Sequence, residues 1–315
     1  MNPVPRERIT PCNDKSVNPA ADYVVYWMIA HRRTSWNFSL QRAVEWAETL
    51  KKPLVILEAL RCNYKWASDR MHRFIIEGMY DNWRCLEGSK ALYYPFVERK
   101  VDEGKGLLAQ LTRRACVAVT DDFPCFFLPR MVSAAESQVP VLLEKVDTNG
   151  LFPMKEPDQV FLRAFDFRRF LQARLVPHLF TTPDPDPVSF LSVQSHPNII
   201  SSLYKQWEPA YRDLKNSASL DLTSLPIDHS VCPTNTKGGS DNGTTILRTF
   251  LRNSLSEYDK LRNHPDDNAS SGLSPYLHFG HISAHQIFQE LVDYEGWSPD
   301  RLSNRVLESE SGGGG

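Results

Sequence analysis

Apolar and polar positions follow two different rhythms along this chain. In the first half, short runs of β-branched and aromatic residues are separated by longer stretches of helical periodicity. Val24, Val25, Tyr26, Trp27 and Met28 form the first run, with the composition of a strand buried on both faces. Residues 54–57, 92–97, 116–120 and 139–143 repeat the pattern; the third run is weakened by Pro95 and the fourth ends in Asp121 and Asp122. Between them, Leu40, Ala43, Val44 and Ala47 recur at helical spacing before Pro53. Further helices are predicted from Ser68 through Ile75, Met79 and Trp83, over 106–113 and over 129–137. This alternation predicts an α/β fold built on a doubly wound, Rossmann-like parallel sheet. Ligands on such sheets bind beyond the carboxyl ends of the strands. No Gly-x-Gly-x-x-Gly follows the first run, so a standard dinucleotide site is not expected there. Residues 1–21 are polar and broken by proline, and read as a flexible N-terminal arm.

The second half changes texture. Phe161, Phe165, Phe167, Phe170 and Leu171 interleave with Arg163, Arg168, Arg169 and Arg174. Such a helix is expected to turn its aromatics inward and solvate its arginines, although aromatics with arginines also suit a nucleic-acid face. The proline-rich TTPDPDPVSF and the polar stretch 228–243 read as linkers or surface loops. From Thr245 a helical face returns, carried by Ile246, Leu247, Phe250, Leu251, Leu255 and Tyr258. A last helix is predicted over 283–294, with Ile287, Phe288, Leu291 and Val292 on its apolar side.

Composition narrows the class without naming a chemistry. The 315 residues are 41% hydrophobic and 23% charged, with a net charge of −2, so any nucleic-acid site must be a local basic patch. The six cysteines include no Cys-x-x-Cys pair and no secretory segment precedes them, so reduced thiols in a cytoplasmic protein are expected. No apolar run is long enough to cross a membrane as a helix. His278 and His281 lie three apart, without a carboxylate or cysteine at ligand spacing, so no metal site is expected.

The stretch with most chemical character is 258–283, YDKLRNHPDDNASSGLSPYLHFGHIS. Ser270, Ser271 and Gly272 make a small-residue loop before Leu273, with Ser274 placed as an N-cap and Pro275 at the first helical position. Hydroxyls and free N–H groups at a helix start suit a phosphate. Tyr258, Arg262, Asn263 and Pro265, followed by Ser270, Ser271, Leu273, Ser274 and the run LSPYLHFGHIS, resemble the flavin-phosphate segment of the photolyase/cryptochrome family, in a form similar to the class II photolyases. The run VVYWM with its polar exit through Trp36 and Asn37, and the later VDTNGLFP, resemble the family's antenna domain.

The resemblance implies a definite organisation. Residues 22–153 would be the α/β antenna domain, 154–243 an interdomain connector, 244–307 the first part of an all-α FAD-binding domain, and 308–315 a flexible glycine-rich tail. Family members continue well past such a point, so the chain reads as C-terminally truncated. The implied activity is light-dependent repair of cyclobutane pyrimidine dimers by electron transfer from excited reduced FAD. The alternatives are a cryptochrome-like photoreceptor without repair activity, or an inactive fragment. By resemblance, Tyr258, Ser270, Ser271, Gly272, Leu273 and Ser274 would hold FAD and Arg262 would meet a DNA phosphate. A second antenna chromophore of folate or deazaflavin type is implied, and the partner would be UV-damaged DNA bound by a monomer. Catalytic side chains are not assigned.

Overall fold

The computed structural model describes residues 1–215, 221–264, 266, 269–298 and 301. Pro265, Pro299, Asp300 and the tail 308–315 lie outside the described residues. Ile9–Pro11 (β1), Tyr23–Met28 (β2), Leu54–Leu60 (β3), Leu92–Val97 (β4), Ala115–Asp121 (β5) and Leu143–Val146 (β6) form one six-stranded sheet in the order β1-β6-β5-β2-β3-β4. β2 to β6 are mutually parallel, and β1 runs antiparallel on one edge. The order reverses direction beside β2, where β3 lies on one side and β5 on the other. That is the topological switch point of a doubly wound sheet.

Helices Phe38–Leu50 (α1), Asp69–Leu86 (α2), Leu107–Thr112 (α3) and Leu128–Gln138 (α4) connect the strands. The Asn37 side chain starts α1 by accepting from the Ser39 and Leu40 backbone N–H groups at 2.9 and 3.2 Å. Successive β2 residues serve opposite faces. Val24, Tyr26 and Met28 pack with α1 and α2, whereas Val25 and Trp27 pack with α3 and α4. This two-sided burial explains the near-continuous apolar runs. Pro95 is tolerated because β4 is an edge strand.

Three expectations are corrected. The last strand is Leu143–Val146, not 139–143: the Val139 N–H closes α4 on the Ala135 carbonyl, and Pro140 has no N–H to give. Residues 1–21 are not a loose arm. β1 pairs with β6, Val4 is buried, and the buried Arg8 guanidinium reaches the Asp147 carboxylate at 3.7 Å and the Leu151 carbonyl at 2.7 Å. Three residues are too short to announce a strand by period. The third correction concerns Ala164–Arg174 (α5), which buries none of its residues. Phe165 and Phe167 stay exposed, while Phe161 and Phe170 pack on each other and Arg174 lies over Phe170.

The connecting stretch is bound to the sheet rather than free of it. Val188, Leu191, Ala210, then Leu214 of Tyr211–Lys215 (α6), Leu222 and Leu225 are buried in the α1–α2 core. Ile200 and Trp207 enter the opposite core. The chain then forms Ser240–Asn253 (α7), Leu255–Leu261 (α8), Ser274–His278 (α9) and Ala284–Glu295 (α10). The single face expected from 245 to 258 is broken at Ser254 into α7 and α8, with Leu247 and Leu251 buried. Among the described residues no helix is long and apolar enough to cross a membrane.

These helices dock on α2. The Asp81 carboxylate accepts from the Asp241 N–H at 3.1 Å in the first turn of α7, and Glu77 accepts from the Gly238 N–H at 2.7 Å. Burial pushes the Asp81 carboxyl up to about 6; the Asp241 N–H bond and Arg84 oppose the rise, while the Asp241 and Glu77 charges add to it. A carboxyl whose folded value is raised stabilises the fold below its ordinary value near 3.8 and loses that contribution as pH climbs through about 6. Asp81→Asn keeps an acceptor for Asp241 without the charge. It is expected to stabilise the fold by about 1–2 kcal/mol at pH 7.5 and by almost nothing at pH 4. Urea unfolding of both proteins at the two pH values checks this, and an equal difference at both would refute it.

Candidate functional site

The carboxyl ends of the parallel strands open into a cleft of about 830 Å³. Its walls come from the exits of β2, β3 and β4, from α3 and α4, and from His278 and Phe279 at the end of α9. Parallel strands all point their exits the same way, and at the switch point the two adjoining loops diverge. Space is left there for a ligand.

Asp121, the last residue of β5, fixes the loop that leaves β2. One carboxylate oxygen accepts from the Ile29, Ala30 and His31 N–H groups at 2.9, 2.8 and 3.0 Å, and the other accepts from the Tyr26 hydroxyl at 2.8 Å. Burial alone would raise this carboxyl. His31 beside it and the three N–H donors instead hold it below its ordinary value. The same loop carries Arg32, whose guanidinium meets the buried Glu58 at 2.9 Å. Glu58 also accepts from Asn82 at 2.9 Å and from the Tyr93 hydroxyl at 2.6 Å. Arg32 is thereby held in the cleft wall as a fixed positive charge.

The rest of the lining is aromatic. Trp27, Tyr64, Trp66, Phe96, Phe123 and Phe126 face the cleft. Glu98 is locked by N–H donation from Cys62 and Gly104, both at 3.0 Å. Burial, with Glu98 next to it, pushes the Cys62 thiol up to about 11, which leaves it protonated and unreactive at neutral pH. Sequence reasoning did not single out these aromatics. The available signal was positional: Tyr64 and Trp66 follow β3, and Phe123, Phe126 and Phe127 follow β5, in connecting segments where rings have no strand core to fill.

From the segment 258–283, His278 and Phe279 line this cleft. Tyr258 sits on α8 with its ring edge-to-face on Phe250 at 5.1 Å, and Arg262 is exposed with its guanidinium 5.5 Å over the Tyr258 ring. Ser270, Gly272 and Ser274 are exposed, Ser271 is half-buried, and Leu273 is buried against Phe74, Leu247, Leu251 and Tyr276. Gly272 turns the chain at φ +69°, and a Cβ there would stand 3.4 Å from Ile246 of α7. The structure therefore joins Tyr258 with Arg262, and the 271–273 turn with α7. The expected N-cap is displaced by one residue: Leu273 caps α9 and no side chain bonds its first turn. The cause is local. Leu273 adopts a helical φ of −84° and ψ of −11°, so Ser274 is already inside the helix. Its N-terminal N–H groups are left without a side-chain acceptor.

α9 then delivers its last residues to the α/β unit. His278 meets Phe126 edge-to-face at 5.2 Å. Gly280, at φ +72°, lies so close to the β2 exit that a Cβ would stand 2.0 Å from the Ala30 carbonyl oxygen, and its own carbonyl accepts from Arg33 Nη1 at 3.0 Å. Only glycine fits that approach. His281 is buried, stacked on Phe74 at 4.9 Å, and its Nδ1 accepts from the Gly239 N–H at 2.9 Å. Its place is in packing.

Known proteins give the arrangement a context. No family model matches the chain. It is 31% identical over 282 residues to the deoxyribodipyrimidine photo-lyase of Methanothermobacter thermautotrophicus, covering 88% of this chain and 58% of that protein. It is 26% identical over 291 residues to the deoxyribodipyrimidine photo-lyase of Potorous tridactylus, covering 90% of this chain and 51% of that one. The chain thus spans little more than half the length of these relatives. Among solved structures it matches a bacterial class III photolyase from Agrobacterium tumefaciens with a TM-score of 0.58 at 15% identity, over 94% of this chain and 58% of that one. At that identity the likeness speaks for the fold alone.

Proposed function

The chain belongs to the photolyase/cryptochrome family, and from that premise we propose that it serves light-dependent repair of cyclobutane pyrimidine dimers, contributing the α/β unit and part of a flavin pocket. The observation that carries this reading is the placement of the 258–283 segment. Its small-residue turn is exposed, is backed by α7, and leads through α9 to the mouth of the cleft.

The turn suits the pyrophosphate of FAD. Ser270 and Ser274 present exposed hydroxyls, and the first N–H groups of α9 have no side-chain acceptor. Tyr258 lies on the neighbouring helix, with Arg262 stacked on it as a cation for a DNA phosphate. FAD, when bound in its reduced form, supplies the light-driven electron that no side chain can provide. The chain's own residues do the rest: hydroxyls and N–H groups fix the phosphates, Leu273 anchors the turn in the helical core, and Gly280 with Arg33 sets α9 against the α/β unit. The cleft, with its aromatic walls and the fixed cation Arg32, suits a second, flat chromophore of deazaflavin or folate type.

The test is an absorption titration with FAD after removal of free flavin. The protein is expected to retain flavin bands, and Ser271→Asp with Ser274→Asp is expected to weaken retention about tenfold or more, because two carboxylates would face the phosphates. A double variant that retains FAD as well as the parent would overturn the site assignment. Repair itself is read from loss of dimers in irradiated DNA under blue light. A photoreceptor would show light-induced spectral change with no dimer loss.

A further inference from the structure

Where the chain enters α7, its backbone is held by titratable side chains. The Gly238 N–H donates to the Glu77 carboxylate at 2.7 Å, the Gly239 N–H to Nδ1 of His281 at 2.9 Å, and the Asp241 N–H to the Asp81 carboxylate at 3.1 Å. Gly239, at the cap position of α7, has no side chain to do this itself. The joint is also tight. A Cβ on Gly239 would stand 2.1 Å from the Asp81 carboxylate, one on Gly238 1.9 Å from the Phe74 carbonyl oxygen, and one on Gly78 of α2 2.2 Å from Nε2 of His281. That Nε2 is buried with no hydrogen-bond partner among the described residues. Because Nδ1 accepts, the neutral ring carries its proton on Nε2. A second proton can enter only at Nδ1, where it breaks the bond from Gly239, and Arg32 and Arg33 of the β2 exit add their repulsion. The closed joint therefore excludes a charge on His281. Asp81 likewise favours its neutral form, which keeps a carbonyl oxygen for the Asp241 N–H.

We propose that the entry to α7 is a proton-compensated latch: shut, it keeps His281 and Asp81 neutral in mild acid; open, it lets Asp81 give up a proton while His281 takes one up. The signs oppose each other. Burial holds His281 down to about 3 in the closed joint, so a fall in pH below its ordinary 6.5 favours opening. Burial holds Asp81 up to about 6, so a rise in pH above its ordinary 3.8 favours opening. Between those limits the proton taken up by one matches the proton released by the other, and the latch stays shut. The other charges around it do not upset the balance. From α2 come Glu77 and Arg84, from α7 Asp241, and from the β2 exit Arg32 and Arg33. Arg84 stands 3.8 Å from the Asp241 carboxylate, and Arg32 is engaged by Glu58. The latch has a reach beyond its own bonds. α7 carries Ile246, against which the Gly272 turn rests, so an open latch leaves that turn without its backing.

The test is residue-resolved amide hydrogen exchange of Gly239 and Asp241 in the full chain, corrected for the intrinsic rate, at pH 7.5 and 4.5. Amides of β2 report global unfolding beside it. The opening constant of the parent is expected to change less than about fivefold between the two pH values, because the two titrations offset. Asp81→Asn keeps an acceptor that does not titrate. His281 is then uncompensated, and opening is expected to rise about a hundredfold at pH 4.5. His281→Asn sets a neutral acceptor near the place of Nδ1 and leaves Asp81 alone, so opening is expected to fall about twentyfold on the same change. The double variant is expected to be flat again. Opposite responses around a flat parent are what compensation requires. A response of Asp81→Asn within threefold of the parent would overturn the latch, and this comparison decides alone if His281→Asn does not fold. A parent that itself opens a hundredfold more in acid would overturn it too. So would exchange at Gly239 that follows the β2 amides at both pH values, since the joint would then have no opening of its own.

Discussion

Asp121→Ala is expected to cost the fold about 5 kcal/mol, because it leaves three buried N–H groups and one hydroxyl without their acceptor at roughly 1–3 kcal/mol each. Asp121 is fully buried, out of reach of bulk water in the folded chain. A loss of that size is comparable to the whole stability of an ordinary domain, about 5–15 kcal/mol. The damage should spread in a set order. Residues 29–31 lose their anchor, the following Arg33 loses its position, and its bond to the Gly280 carbonyl goes with it. The α7–α10 helices should therefore loosen before the sheet does, and limited proteolysis should cut first between α7 and α9. Tyr26→Phe removes only the hydroxyl donor and is expected to cost about 1 kcal/mol. That milder variant keeps the idea testable if the alanine protein does not fold. A denaturant midpoint for Asp121→Ala within about 1 kcal/mol of the parent would refute the assignment.

The second large effect is loss of stability in mild acid. Burial holds His281 down to about 3 and His31 and His72 down to about 4, and it depresses His285 further still, to about 2. Positive neighbours add to the depression at all four, Arg32 and Arg33 at His281, Arg8 and Arg33 at His285, Arg33 at His31 and Arg32 at His72. All four are neutral in the folded chain at neutral pH, while unfolded histidine takes up a proton near 6.5. The unfolded state thus binds more protons below that value. Their contribution is complete above about pH 6.5 and is lost as pH falls towards the folded values. Four such sites are expected to remove on the order of 5 kcal/mol between pH 7 and pH 4.5, after allowance for local relaxation. Asp81 works in the opposite direction over part of this range, but as a single carboxyl.

His285 gives the sharper test. Both its ring nitrogens are buried without a hydrogen-bond partner among the described residues, and its ring meets Phe38 edge-to-face at 5.3 Å. His285→Leu removes the proton site without breaking a bond. The slope of stability against pH between 6 and 4.5 should fall by about one proton, or ~1.4 kcal/mol per pH unit. An unchanged slope would mean that His285 is not held neutral by its surroundings.

Much of the architecture was legible from period alone, because strands buried on both faces leave uninterrupted apolar runs. Residues 24–28, 54–57 and 116–120 fall inside observed strands for that reason. The failures share a physical cause: a long-range partner decided them. Ile9–Pro11 is a strand only because β6 offers an edge, and residues 139–142 lose strand character because α4 extends to Gln138 and Pro140 cannot pair. Ser254 interrupts one amphipathic face to make two helices, which a count of apolar positions does not register. At the site, the small-residue turn was readable as local chemistry, whereas the cleft was not. Its walls come from five separate stretches of sequence, and residue order does not show which of them meet.

The buried connector has a consequence for synthesis of the chain. The core under α1 and α2 contains Val4 near one end and Leu222 and Leu225 far along. The central strand β2 must also wait for β5 before its second edge is covered. On the ribosome, the emerging α/β unit cannot close until Leu222 and Leu225 have left the exit tunnel. Until then its parallel strands present bare edges and apolar faces, the state in which nascent chains need chaperones most.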